Sequence, residues 1–163
     1  MSKIILIRHG QSEWNKLNKF TGLTDVKLTD NGKKDAESID LNWLKNSKSK
    51  IVFVSPLKRT LQTATIAVEA NKINSKILSY ENLREVNNHH KCNHRDTIKN
   101  TEQMFTNVDF SLIKNHKGPK SGLEIRKDFR EVIMLLRKSA KKILDFLKER
   151  KETHIAIFSH GRL

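Results

Sequence analysis

The chain has 163 residues, of which 36% are hydrophobic and 31% charged, with a formal net charge of +14. That length fits one domain with a sizeable core, and no stretch approaches the roughly 18 apolar residues that cross a bilayer. A single cysteine, Cys92, excludes an intramolecular disulfide framework, and the lysines are dispersed among asparagines rather than massed in a block. Neither a nucleic-acid nor a membrane partner is therefore expected, and the excess charge reads as general composition or as steering of anionic substrates. The opening "MSKIILIRHG" is too short and wrongly flanked for a signal peptide. The expected location is cytoplasmic.

In chain order, Lys3 to Ile7 is an apolar run suited to a buried central strand. A helix is expected from about Lys33 to Asn46. The run Lys50 to Pro56 reads as a second buried strand that ends at a proline. Leu57, Leu61, Ile66 and Val68 then fall at helical spacing, and "SKILSY" predicts a third strand leaning towards an edge. Residues 86–122 are polar and rich in His and Asn, so an insertion over one end of the sheet is expected there, with a short helix near Ile98 to Phe105. From Leu123 to Arg150 the pattern is a long amphipathic helix, with Phe129, Leu136, Ala140, Ile143, Leu144 and Leu147 on its apolar stripe. "HIAIF" is the last strand. Strands alternating with helices imply an α/β sandwich with a mostly parallel sheet, in a single domain over 1–163.

The chemistry-bearing residues sit where such strands end. The first strand hands directly to Arg8, His9 and Gly10, the second to a turn with Arg59 just beyond it, and the last to Ser159, His160 and Gly161. Open α/β sheets bind ligands at strand carboxyl ends. Two arginines and two histidines gathered there describe an anion site, most naturally for a phosphoryl group.

The blocks "RHGQSEWN", "SPLKRTLQT", "LREV" and "SHG", in this order, resemble the histidine phosphatase superfamily, also called phosphoglycerate-mutase-like. The long opening block is especially like the cofactor-dependent mutases, whereas "CNHRDTIKNTEQMFTNVDFSLI" is more like a phosphatase-type branch. The resemblance implies a three-layer α/β/α sandwich. It implies that His9 is a nucleophile forming a phosphohistidine and that Glu85 is the general acid and base, with Glu81 the nearby competitor. Arg8, Arg59 and His160 would hold the phosphoryl oxygens, and Gly10, Asn15, Thr21, Gly22 and Gly161 would complete the phosphate site. Arg84, His90, Cys92, Asn93 and Arg95 are the candidates for specificity, with a structural part the alternative for Arg84. No cofactor is implied unless the protein is a mutase, which would use 2,3-bisphosphoglycerate.

His89, His90, Cys92 and His94 raise the question of a metal, but their spacing fits no standard zinc pattern, and no metal is expected. His116 and His154 are assigned no catalytic role. The expected function is hydrolysis of a phosphorylated small molecule. A phosphoglycerate mutase and a weak or inactive phosphate-binding member of the same family are the alternatives. Members normally continue past the second histidine with a helix, so the domain is expected to be incomplete at its C-terminus. One face of the last strand, along Ile155 and Ile157, should then be uncovered and could pair two copies of the chain.

Overall fold

The computed structural model describes residues 2–17, 25–85, 91–117 and 129–161. Five strands, β1 (Lys3–Arg8), β2 (Lys50–Val54), β3 (Ile77–Ser79), β4 (Val108–Asp109) and β5 (His154–Ser159), form one sheet. Its order is β1-β5-β2-β3-β4, and every neighbouring pair is parallel. The helices are α1 (Glu13–Leu17), α2 (Asp30–Glu37), α3 (Asn42–Lys45), α4 (Lys58–Ala70), α5 (Ile98–Met104) and α6 (Phe129–Lys148). This is the α/β fold expected from the sequence.

Apolar runs without polar alternation become strands buried on both faces, and β2 and β5 behave so. On one face Val52, Val54, Ala156 and Phe158 share a core with Leu61, Ala64 and Val68 of α4 and with Leu41 and Leu44. On the other, Ile51, Phe53, Ile155 and Ile157 pack against Ile143, Phe146 and Leu147 of α6. Helix starts follow local chemistry. Thr29 caps α2 by accepting from the Gly32 amide, and Thr97 caps α5 by accepting from that of Asn100. The first amide of α4, that of Lys58, is instead satisfied from a distance, by the carboxylate of Asp25 at 2.7 Å.

Several expectations are corrected. The helix expected over residues 33–46 is two, α2 and α3, separated at residues 38–41. The third strand is internal, because β4 from the polar segment adds outside it. Conversely, among the described residues β1 is an edge strand rather than a central one. In a parallel ladder paired residues share a face, so Ile4 opposite Ile155 and Leu6 opposite Ile157 extend the α6-side surface. That helix covers β2 and β5 but leaves Ile4 43% and Leu6 63% exposed. The uncovered apolar face therefore lies on β1 and not on β5, whose Ile155 and Ile157 are fully buried. The stripe of α6 is also rotated. Phe146 turns inward and stacks on Tyr80, while Ala140 and Leu144 face solvent. The start of the long helix, expected from Leu123, lies outside the described residues before Phe129.

Candidate active site

Parallel strands present their carboxyl ends along one rim, and four of them converge on the site. His9 follows β1, Ser55 follows β2, His160 follows β5, and β3 leads through a short 3-10 turn (Glu81–Leu83) to Glu85. Main-chain bonds hold these ends in register: the His9 amide donates to Ser159 O, the Ser55 amide to Phe158 O and the Tyr80 amide to Val54 O. Ser159 Oγ donates to Leu83 O at 2.7 Å, which ties the turn carrying Glu85 to the strand carrying His160.

The Gly10 backbone passes so close to Gly32 that an added Cβ would lie 2.4 Å from its carbonyl oxygen, so only glycine fits. Its amide, expected to face the phosphoryl group, instead donates to Thr63 Oγ1. What Gly10 supplies is its carbonyl, which meets His9 Nδ1 at 2.7 Å. A carbonyl can only accept, so Nδ1 carries the proton. On the other side of the ring, Nε2 accepts from Arg59 Nε at 3.2 Å and therefore holds its lone pair. Burial, with the nearby charges of Arg59 and then Arg8 acting in the same direction, pushes the His9 pKa from 6.5 down to about 4. The imidazole is thus a neutral base at neutral pH.

His160 lies with its ring centroid 5.2 Å from that of His9. Its Nδ1 takes a hydrogen bond from Arg59 Nη2 at 3.3 Å, which leaves the proton on Nε2 to donate to Ser55 Oγ at 2.8 Å. Burial, Arg59 and His9 together hold it well below the usual histidine range.

Arg59, itself buried, is the hub. Beyond the two histidines it donates from Nη1 to Cys92 O at 3.0 Å, and from Nη2 to Glu85 Oε2 and Asn93 Oδ1, both at 2.9 Å. A cleft of about 430 Å³ opens over these groups, lined by Arg8, His9, Ser12, Trp14, Asn15, Val26, Arg59, Glu85, Cys92, Asn93 and Gly161. Arg8 reaches it as an exposed side chain beside Gly161. Asn15 lines it with its Oδ1 already accepting from Ser12. A pocket with two guanidiniums, a neutral imidazole and a carboxylate suits transfer of a phosphoryl group to nitrogen.

The structure therefore brings His9, Arg8, Arg59, Glu85, Asn15, Cys92, Asn93 and Gly161 to one cleft, with His160 directly behind Arg59. Thr21, Gly22 and His90 lie outside the described residues. Arg84 and Arg95, candidates for specificity, are found in ion pairs, which for Arg84 is the structural part that was its alternative. Both grip Glu81, Arg84 Nε at 3.0 Å and Arg95 Nε at 2.8 Å. Among the described residues no cluster of histidine, cysteine and carboxylates could hold a metal ion. Sequence reasoning missed Ser55, Thr63 and Asp25. Ser55 and Thr63 stand inside the block "SPLKRTLQT" that was singled out for Arg59. Asp25, which joins the Lys58 and Asp96 amides, carries no local signal.

Comparison with known proteins identifies the family and the fold. The model of the histidine phosphatase superfamily (branch 1) matches residues 4–163. A 2,3-bisphosphoglycerate-dependent phosphoglycerate mutase of Bifidobacterium longum is 49% identical over 69 residues, which is 42% of this chain but only 28% of the mutase. Phosphoglycerate mutase 1 of Saccharomyces cerevisiae is 46% identical over 71 residues, again 28% of its length. Among solved structures, the phosphoserine phosphatase of Entamoeba histolytica in complex with 3-phosphoglyceric acid superposes with a TM-score of 0.58 at 26% identity, covering 99% of this chain and 75% of that one. The ecdysone phosphate phosphatase of the silkworm, in complex with tungstate, shares the fold with a TM-score of 0.65 at 15% identity, covering 98% of this chain and 73% of that one.

Proposed function

The chain belongs to the histidine phosphatase superfamily, and on that premise we propose that it hydrolyses phosphomonoesters through a phosphohistidine formed on His9. The observation that carries this reading is the unprotonated Nε2 of His9, which accepts from Arg59 Nε while Nδ1 is locked on Gly10 O. An ester phosphate entering the cleft replaces His9 as the acceptor of Arg59 Nε and takes further donors from Arg8 and Asn15. The Nε2 lone pair then attacks phosphorus, and the bond to the leaving oxygen breaks in line. Glu85 takes up the proton of the monoanionic ester as it enters and passes it to the departing alkoxide. It then takes a proton from the water that attacks the phosphohistidine, and phosphate is released from a regenerated imidazole.

The test is hydrolysis of p-nitrophenyl phosphate by the wild-type chain and by His9→Ala. Loss of at least about a thousandfold in kcat is expected on removal of the nucleophile. Activity that survives His9→Ala would rule the phosphohistidine out.

A second reading is mutase chemistry, in which the same phosphohistidine returns its group to a sugar acid. It is favoured by the 49% identity to a 2,3-bisphosphoglycerate-dependent mutase. The phosphatase reading is supported by the match to the phosphoserine phosphatase at 26% identity, which covers 99% of this chain against 42% for the mutase. Rapid isomerisation of 3-phosphoglycerate with catalytic 2,3-bisphosphoglycerate, alongside negligible hydrolysis, would reverse that preference.

A further inference from the structure

We infer that Asn93 is a positioning residue for the phosphoryl-transfer site, holding the Arg59 guanidinium so that its Nε edge faces His9. This rests on the phosphohistidine reading above and adds to it the part played by the segment that closes the cleft.

A guanidinium has five N–H donors in a rigid plane, so fixing one end of it orients the other. Residues 92 and 93 fix the far end of Arg59. The Cys92 carbonyl takes Nη1 at 3.0 Å and the Asn93 side-chain oxygen takes Nη2 at 2.9 Å. With the terminal nitrogens held there, Nη2 also meeting Glu85 and His160, Nε–H is turned to His9 Nε2 at 3.2 Å. Asn93 is 3% exposed, so its oxygen is a desolvated acceptor matched to a buried charge, the strong class of hydrogen bond.

The segment is in turn anchored to the turn that carries Glu85. Arg84 Nη1 donates to the Asn93 carbonyl at 3.0 Å, and Arg84 Nε to Glu81 at 3.0 Å. Arg95 Nε takes the other oxygen of Glu81 at 2.8 Å, while its remaining nitrogens reach the Asp96 and Asn115 carbonyls. The circuit closes through the peptide bond between Arg84 and Glu85, because Glu85 Oε2 also meets Arg59 Nη2. The arginines expected to select substrate are thus spent on bracing. Through Asn93 they set the relative positions of the nucleophile, the phosphate-binding cation and the proton donor.

The experiment compares Asn93→Ala, Arg59→Ala and the double variant by two readouts. In hydrolysis of p-nitrophenyl phosphate, Asn93→Ala should lower kcat/KM by about 10- to 100-fold, the size of effect expected from misplacing a reacting group by an ångström. The double variant should be no slower than Arg59→Ala alone, since Asn93 acts through Arg59. Losses that simply multiply would overturn the inference. The second readout needs no turnover. The His9 imidazole, followed by NMR titration, should move up from about 4 in Asn93→Ala because the Arg59 charge that depresses it is released. An unmoved titration would overturn the inference, and this holds even if the wild-type chain hydrolyses nothing and the phosphatase reading falls. Asn93→Asp keeps the accepting oxygen and the side-chain volume, so it should recover most of the activity lost in Asn93→Ala. A loss equal to that of Asn93→Ala would overturn the inference, because the accepting oxygen at this position would then not be what sustains activity.

Discussion

His9 and His160 are both neutral bases in the fold, and that has a consequence for pH. His9 is pushed down to about 4 by burial and by Arg59, and His160 moves in the same direction. Unfolded histidines take up a proton near pH 6.5. Between those values the unfolded chain binds more protons than the folded one, so stability rises with pH from about 4 to 6.5 and is lost on acidification. The nucleophile likewise stays unprotonated through that window. The acid limb of kcat/KM, measured from about pH 4 to 8 and corrected for ionisation of the ester, should lie near 4. A limb at the ordinary histidine value would show that Arg59 and burial do not act on His9 as the geometry requires. At this scale much was legible in the sequence. His9, Arg59 and His160 stand at strand ends or just beyond them, and apolar runs make strand ends easy to find, whereas Glu85 came only from the resemblance of the block that holds it. Their mutual geometry was not. Nothing local distinguishes Arg59, whose donors meet the site, from Arg84 and Arg95, whose donors meet Glu81, because the difference lies in which carboxylate a side chain finds after folding.

At the scale of elements, β1 and β5 have nearly the same apolar pattern but different surroundings. Ile157 of β5 is 1% exposed beneath α6, while its partner Leu6 of β1 is 63% exposed. Ile157→Ala should therefore cost about 2–5 kcal/mol, as truncation in a packed core does. Leu6→Ser should change stability by no more than about 0.5 kcal/mol. Urea unfolding of the two variants checks the contrast, and equal costs would mean that the Leu6 face is covered in solution. Periodicity could not show this asymmetry. A continuous apolar run announces a strand with two apolar faces, but which strands become its neighbours is decided by pairings far along the chain. For the same reason β3 looked like an edge: the pair of residues that flanks it, Val108 and Asp109, is too short to register as a strand. The long helix was legible as an element, yet its rotation was not, because Leu144 and Phe146 compete for the inward face and the distant rings of Phe53 and Tyr80 receive Phe146.

Over the whole molecule, the sheet is assembled out of sequence order. The last strand, β5, lies between the first two, pairing Ile4 with Ile155 on one side and Ile51 with Ile155 on the other. Every ladder that joins β1 to the rest of the sheet passes through it. Removing residues 154–163 should therefore abolish the cooperative thermal transition rather than lower its midpoint, and a calorimetric trace that kept a sharp transition would contradict the strand order. The same arrangement bears on time as well as on stability. Contacts between residues separated by most of a chain close the largest loops and form slowly. During synthesis β1 and β2 emerge early but have no partner in common until β5 follows them. Through that interval the apolar strands are present while the cleft does not exist. The pocket thus cannot form before β5 has been made, since the strand that brings His160 up to His9 is also the strand that joins β1 to β2.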